Sequence, residues 1–111
     1  MSGKRWRFHA AAYEEMLEAA RWYEKEAALG EPYLAAVERA VRQLEERPVG
    51  LLVPGVDPKL RVRRVFVQTF PYAVVFVDAG DEFIIVAVMH LRRRPGYWKK
   101  RVRSRNKRPP R

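Results

Sequence analysis

The chain has 111 residues, 48% of them hydrophobic, no cysteine and a formal net charge of +10 at pH 7. That length supports one domain with a real core; the sequence has no disulfide or thiolate metal site to offer and no run of the roughly 18–20 apolar residues that a membrane span needs. The charge is lopsided. Met1 to Leu60 holds 9 Lys/Arg against 10 Asp/Glu, Arg61 to Leu91 holds 3 of each, and Arg92 to Arg111 holds 11 basic residues and no acid. A nearly neutral body therefore carries one cationic segment, which points to an anionic partner: nucleic acid, an acidic protein surface or anionic lipid. The N-terminus lacks the apolar stretch of a signal peptide, so a cytoplasmic protein is expected. His9 and His90, the two histidines, are far apart in sequence, and neither a metal nor a cofactor is expected.

In chain order, Lys4 to Phe8 alternates basic and aromatic residues. This reads as a short strand burying Trp6 and Phe8 or as a frayed basic terminus. Ala10 to Ala28 is rich in strong helix formers, and Tyr13, Met16, Leu17, Ala20, Tyr23 and Ala27 recur at three- and four-residue steps, the pattern of an amphipathic helix. Glu14, Glu15, Glu18 and Arg21 fall on its wet side, with Glu18 and Arg21 as a pair. Trp22 and Tyr23 read as packing residues. Gly30 suits the left-handed position after that helix, and Pro32 the first turn of the next. Tyr33 to Arg47 repeats the apolar spacing with Leu34, Val37, Val41 and Leu44, and Glu38 and Arg42 stand four apart. Pro48 is its expected stop, which gives an antiparallel helical hairpin.

Pro and Gly residues mark 49–59 as a loop, with Leu51, Leu52 and Val53 tucked beneath it. The remainder is β. Arg61 to Val67 is followed by a break at Phe70-Pro71. Then come two apolar runs, Tyr72 to Val77 and Phe83 to Met89, joined by an Asp78-Ala79-Gly80-Asp81 turn of hairpin length. The expected fold class is α+β: an N-terminal helical hairpin packed on a three- to four-stranded antiparallel sheet. It comprises a single domain over 1–103 and a basic disordered tail over 104–111, with a last helical turn or two between Tyr97 and Arg103.

The chemistry concentrates in His90-Leu91-Arg92-Arg93-Arg94-Pro95-Gly96-Tyr97-Trp98, directly after the longest apolar run. Arg92, Arg93 and Arg94 have the geometry to grip phosphates through bidentate hydrogen bonds or to stabilise charge on a scissile phosphate; the plainer alternative is a solvated basic turn. His90 is either a general acid or base for phosphodiester cleavage or a strand-end residue bonding to backbone. Tyr97 and Trp98 either stack on bases or anchor the C-terminal segment, with anchoring favoured for Trp98. No nucleophile–His–Asp pattern and no Gly-rich phosphate loop is present.

Taken together, Ala19-Ala20-Arg21-Trp22-Tyr23-Glu24, Leu29-Gly30, Val37-Glu38-Arg39-Ala40, Arg63-Arg64-Val65, Phe70-Pro71-Tyr72 and the His90 to Trp98 stretch resemble the RelE/ParE superfamily of type II toxins, also called plasmid-stabilisation proteins. The resemblance covers roughly Phe8 to Arg101 and leans to the ParE-like branch. It implies a toxin that binds DNA gyrase and is neutralised by a cognate antitoxin, acidic where it meets Arg92 to Arg101. The implied contact surface is Arg92, Arg93, Arg94, Tyr97, Lys99, Lys100 and Arg101. The RelE-like alternative implies a metal-free endonuclease cutting mRNA on the ribosome, with His90 or Tyr97 moving protons and Arg61, Arg92 and Arg93 on phosphate. RelE-like enzymes commonly carry an Arg after the middle-strand Tyr, and here that position is Ala73. A third alternative is a non-toxic basic nucleic-acid-binding module. A homodimer or a toxin–antitoxin hetero-oligomer would fit the resemblance, and a membrane partner would not.

Overall fold

The computed structural model describes residues 5–46, 50–94 and 96–104. Lys4, Pro48, Pro95 and the segment after Ser104, all of which entered the expectations above, lie outside them. β1 (Arg5–Phe8) leads through His9 into α1 (Ala10–Ala27), then α2 (Gly30–Glu46), β2 (Leu51–Leu52), a 3-10 turn (Pro58–Leu60), β3 (Val62–Phe66), β4 (Tyr72–Asp78), β5 (Glu82–His90) and α3 (Lys99–Arg103). The class is α+β. Among the described residues no helix is long and apolar enough to cross a membrane.

The sheet departs from expectation in two ways. It has five strands in the order β1-β5-β4-β3-β2, and it is mixed, because β1 runs parallel to β5, with Arg5 opposite Glu82 and Phe8 opposite Ile85. A parallel pair needs a long crossover; here both helices and three strands lie between the two partners. Four alternating residues carry no signal of direction. β2, with Leu51 and Leu52 opposite Arg64 and Arg63, is too short to show a period at all. It places Leu51 and Leu52 on an exposed edge, and only Val53 of that trio is buried.

Two apolar layers sandwich the sheet. On one face Val74, Phe76, Phe83, Ile85 and Val88 meet Ala12 and Ala20 of α1 and Tyr33, Val37, Val41 and Leu44 of α2. On the other, Val75, Val77, Ile84, Val86, Ala87 and Met89 are covered by Val53 and by Trp98 and Val102 of the C-terminal segment. A bulge permits this division. Val75 pairs with Ala87 but Phe76 pairs with Ile85, so Val86 is the extra residue, and Val86 and Ala87 both face α3. The strand's alternation is reset there, which returns Val88 to the helical face.

The helices start and stop on local chemistry. His9 caps α1, its Nδ1 accepting from the Ala11 N–H at 3.0 Å, while its own N–H donates to Ile85 O at 2.8 Å. The left-handed residue after α1 is Ala28, with φ 55°, not Gly30. Gly30 instead opens α2 at a close crossing: a Cβ there would lie 2.9 Å from Glu24 Oε1 and 3.1 Å from Ala20 O. On the wet side Arg21 pairs with Glu14 rather than Glu18, and Arg42 meets Glu38 as spaced. Trp22 is 59% exposed, leaning edge-on against Tyr23. Tyr23, Tyr33, Phe70 and Tyr72 form a ring cluster with centroids 5.0–6.2 Å apart, and His90 packs edge-on against Tyr72 at its margin.

Candidate functional site

β1 stops at Phe8, half-way along β5, so the backbone of β5 from Val86 onward has an open edge on that side. Side chains close it. The Glu15 carboxylate, one turn past Ala12 on α1, accepts the Val88 N–H at 2.9 Å, and Arg101 donates to Val86 O at 3.0 Å. A carboxylate and a guanidinium stand where a neighbouring strand's C=O and N–H would be, which satisfies an edge that burial would otherwise penalise.

Glu15 does more than seal the edge. Its Oε1 also accepts from Arg101 Nη1 at 3.1 Å, and its Oε2 accepts from Tyr97 Oη at 2.6 Å and Arg93 Nη1 at 3.2 Å. Four donors, two of them cationic, converge on one carboxylate whose side chain is 14% exposed. A carboxylate can accept about four hydrogen bonds, so Glu15 is saturated. The Tyr97 ring lies between the same cations, 3.8 Å from the Arg93 guanidinium carbon and 5.2 Å from that of Arg101, a cation–π arrangement that adds to the charge pairing.

The turn that follows β5 is held by backbone. Leu91 N–H donates to Pro71 O at 2.9 Å and Arg93 N–H to His90 O at 3.0 Å. His90 Nδ1 accepts the Arg92 N–H at 3.1 Å. Gly96, with φ 83°, makes the next reversal, one that favours glycine because other residues are strained there. Trp98 is then buried to 1% exposure and Val102 to 4%, pinning α3 to the sheet. At the far end of α3, Ser104 Oγ lies 3.3 Å from His9 Nε2.

These anchors sort the expected site residues. Arg92, Arg94, Lys99 and Lys100 are exposed and form no ion pair among the described residues; Arg103 projects from the same helix. Arg93 and Arg101 are committed to Glu15, Arg93 still half exposed and Arg101 largely covered. Tyr97 is half-buried, and its phenol is pushed well above the usual value, first by burial and then by the Glu15 carboxylate it donates to, against the opposing pull of Arg101 and Arg93. It therefore holds its proton at neutral pH and acts as a donor, not a base. Arg61 is not brought to this cluster. It bonds Asp78 at 3.1 Å, at the end of β4 opposite to Tyr72, which pairs with His90, a separation of about 20 Å at ~3.3 Å per residue. Ala73, where the resemblance looks for an Arg, is fully buried.

Sequence reasoning missed Glu15 as the organiser. Glu14 and Glu18 beside it do face solvent, and three glutamates in five residues read as one wet face. The available signal was register: Glu15 lies three residues after Ala12 and four before Ala19, on the seam of small residues that approaches the sheet.

No protein-family model matches the chain, and no curated protein matches it. Among solved structures, the chain is similar to a chain of the chromosomal ParDE TA system from P. aeruginosa, with 20% sequence identity and a TM-score of 0.59, over 79% of this chain and 96% of that one. The two chains thus share a fold.

Proposed function

We propose that this chain is the toxin of a toxin–antitoxin pair, that it acts in the ParE-like manner by binding DNA gyrase, and that a cognate antitoxin silences it by covering the basic C-terminal face. The observation that carries this reading is the split among the cations. Glu15 consumes Arg93, Arg101 and Tyr97 internally and so fixes the backbone from which Arg92, Arg94, Lys99 and Lys100 project without an acid facing them among the described residues. A fixed set of guanidinium and ammonium groups suits an acidic protein segment or a phosphate-rich surface. The similarity to a ParDE structure supports the pairing with an antitoxin.

The mRNA-cleaving alternative draws less from the geometry. Tyr97 keeps its proton, His90 Nδ1 is occupied by the Arg92 amide, Arg61 is remote, and position 73 supplies no cation. The test is expression in cells with and without the protein encoded by the adjacent reading frame. The reading expects growth arrest, accumulation of gyrase–DNA cleavage complexes with intact mRNA, and relief by the neighbour. It also expects loss of gyrase binding when Arg92, Arg94, Lys99 and Lys100 are all changed to Ser. Codon-positioned mRNA cuts lost in His90→Ala would overturn it in favour of the endonuclease. Absence of arrest, with DNA binding that falls steeply with salt, would leave a basic nucleic-acid-binding module.

A further inference from the structure

Beneath Trp98, on the sheet face away from α1 and α2, lies a cavity of about 190 Å³ lined by Val53, Pro54, Arg64, Val75, Met89, Gly96 and Trp98. Two of its lining residues carry buried N–H groups with no acceptor: Nε of Arg64 and Nε1 of Trp98. Buried donors are nearly always paired, and a native orphan calls for an occupant or an ion. Arg64 forms no ion pair among the described residues, although its guanidinium carbon lies 5.2 Å from the Phe66 ring. It is permanently charged, so a partly buried cation stands without a counter-charge, and burial of an unpaired charge is costly.

The lining side chains include donors, one cation and apolar groups, but no oxygen. A guest that only accepts hydrogen bonds and carries one negative charge is the complement, which describes a carboxylate. A phosphate dianion fits less well, because a single cation among Val, Pro and Met walls would leave the second charge uncompensated. The cavity, at about 190 Å³, has room for a short aliphatic acid. We propose that this cavity is a carboxylate-binding site in which Arg64 and Trp98 Nε1 hold the carboxylate and Val53, Val75 and Met89 receive its apolar body. The site does not depend on the gyrase reading. The carboxylate has two sources with the same chemistry: a free short-chain acid, or the side chain of a Glu presented by a partner protein.

The indole N–H resonances separate the outcomes. The full chain, ¹⁵N-labelled, is titrated with sodium butyrate, with N-acetyl-glutamate α-amide as a mimic of a presented Glu, and with sodium chloride at matched ionic strength. Trp6→Phe and Trp22→Phe identify the Trp98 signal by elimination. The expected result is a saturable shift of the Trp98 indole N–H with at least one carboxylate, none with chloride, and loss of saturation in Arg64→Met. Unchanged amide signals across β4 and β5 would confirm that variant's fold. Butyrate acting alone assigns a free acid, and the glutamate mimic acting alone assigns a partner side chain. No saturable shift with either, or saturation unaffected by Arg64→Met, overturns the site.

Discussion

The two faces of the sheet are built to different standards. On the helical face, two helices of 18 and 17 residues press Leu44, Val37, Val41 and Tyr33 against Phe76, Phe83 and Ile85, all nearly inaccessible. On the other face a five-residue helix and a loop must cover at least as many strand residues. They do so with one large side chain, Trp98, and leave a cavity whose lining includes the unpaired Arg64 Nε and Trp98 Nε1. The first face is closed by interdigitated large side chains, although the Tyr33 hydroxyl is buried there without a partner and an open groove of about 620 Å³ borders it beside Phe8, Met16 and Val41. The second is stabilised by attachment: its cover is tied down at Glu15, Trp98 and the His9–Ser104 contact. The cationic residues sit on that tied cover, so the face closed by attachment carries the candidate function.

The contrast can be broken most sharply at Glu15. Glu15→Ala strands the Val88 N–H, the Tyr97 hydroxyl and the Arg101 guanidinium together, and breaking a largely buried pair by removing one partner costs about 3–5 kcal/mol. Urea denaturation should show that loss, and amide exchange should show α3 and the turn after β5 opening well before the helical face. Glu15→Gln, which keeps the shape and part of the bonding, should cost about 1–3 kcal/mol.

Next in size is a pair of truncations, one on each face. Leu44→Ala leaves a cavity in the helical layer and should cost about 2–5 kcal/mol. Val102→Ala removes about two methylene equivalents from under α3 and should cost about 1.5 kcal/mol, at ~0.8 kcal/mol for each. Equal losses would mean that the two faces are sealed alike, and the comparison would fail.

Alkali gives a smaller and graded effect. Burial, and then neighbouring Tyr23, pushes the Tyr72 phenol up to about 12; Tyr33 and Tyr97 are also raised, each first by burial. An unfolded phenol ionises near pH 10. Below that value both states keep their protons and this contribution to stability is intact. Above it the unfolded chain gives up protons that the folded chain retains, so stability falls with rising pH, for Tyr72 between about pH 10 and 12. Denaturation midpoints measured from pH 8 to 11 should be flat and then decline, and Tyr97→Phe should make the decline shallower. The smallest expected change is Trp22→Ala. Despite its size, Trp22 is mostly in water, and thermal melting should register no more than about 0.5 kcal/mol.

The sequence was readable where periodicity reports burial. α1, α2, the β4–β5 hairpin with its Asp-Ala-Gly-Asp turn and the anchoring of Trp98 all follow from patterns of 3.6 or 2 and from turn chemistry. What stayed hidden has no period. β1 announces a strand but not its direction or its neighbour. β2 has two residues. Trp22 reads as core because aromatic residues at helical spacing normally are, yet the Tyr23 ring already fills the contact with Phe70 and Tyr72. Glu15 looked solvated because charge normally is, and only the unpaired edge of a strand some seventy residues later makes its burial favourable.

Every donor to Glu15 lies far downstream, at sequence separations of 73, 78, 82 and 86 residues, and β1 likewise waits for β5. During synthesis the helical hairpin can form early from local contacts, but the clasp around Glu15 needs Arg101 to have left the ribosome. Long-range closures of this kind are slow relative to helix formation. A nascent or truncated chain therefore holds the scaffold without a set cationic turn, and the turn gains its fixed shape only once Arg101 has emerged.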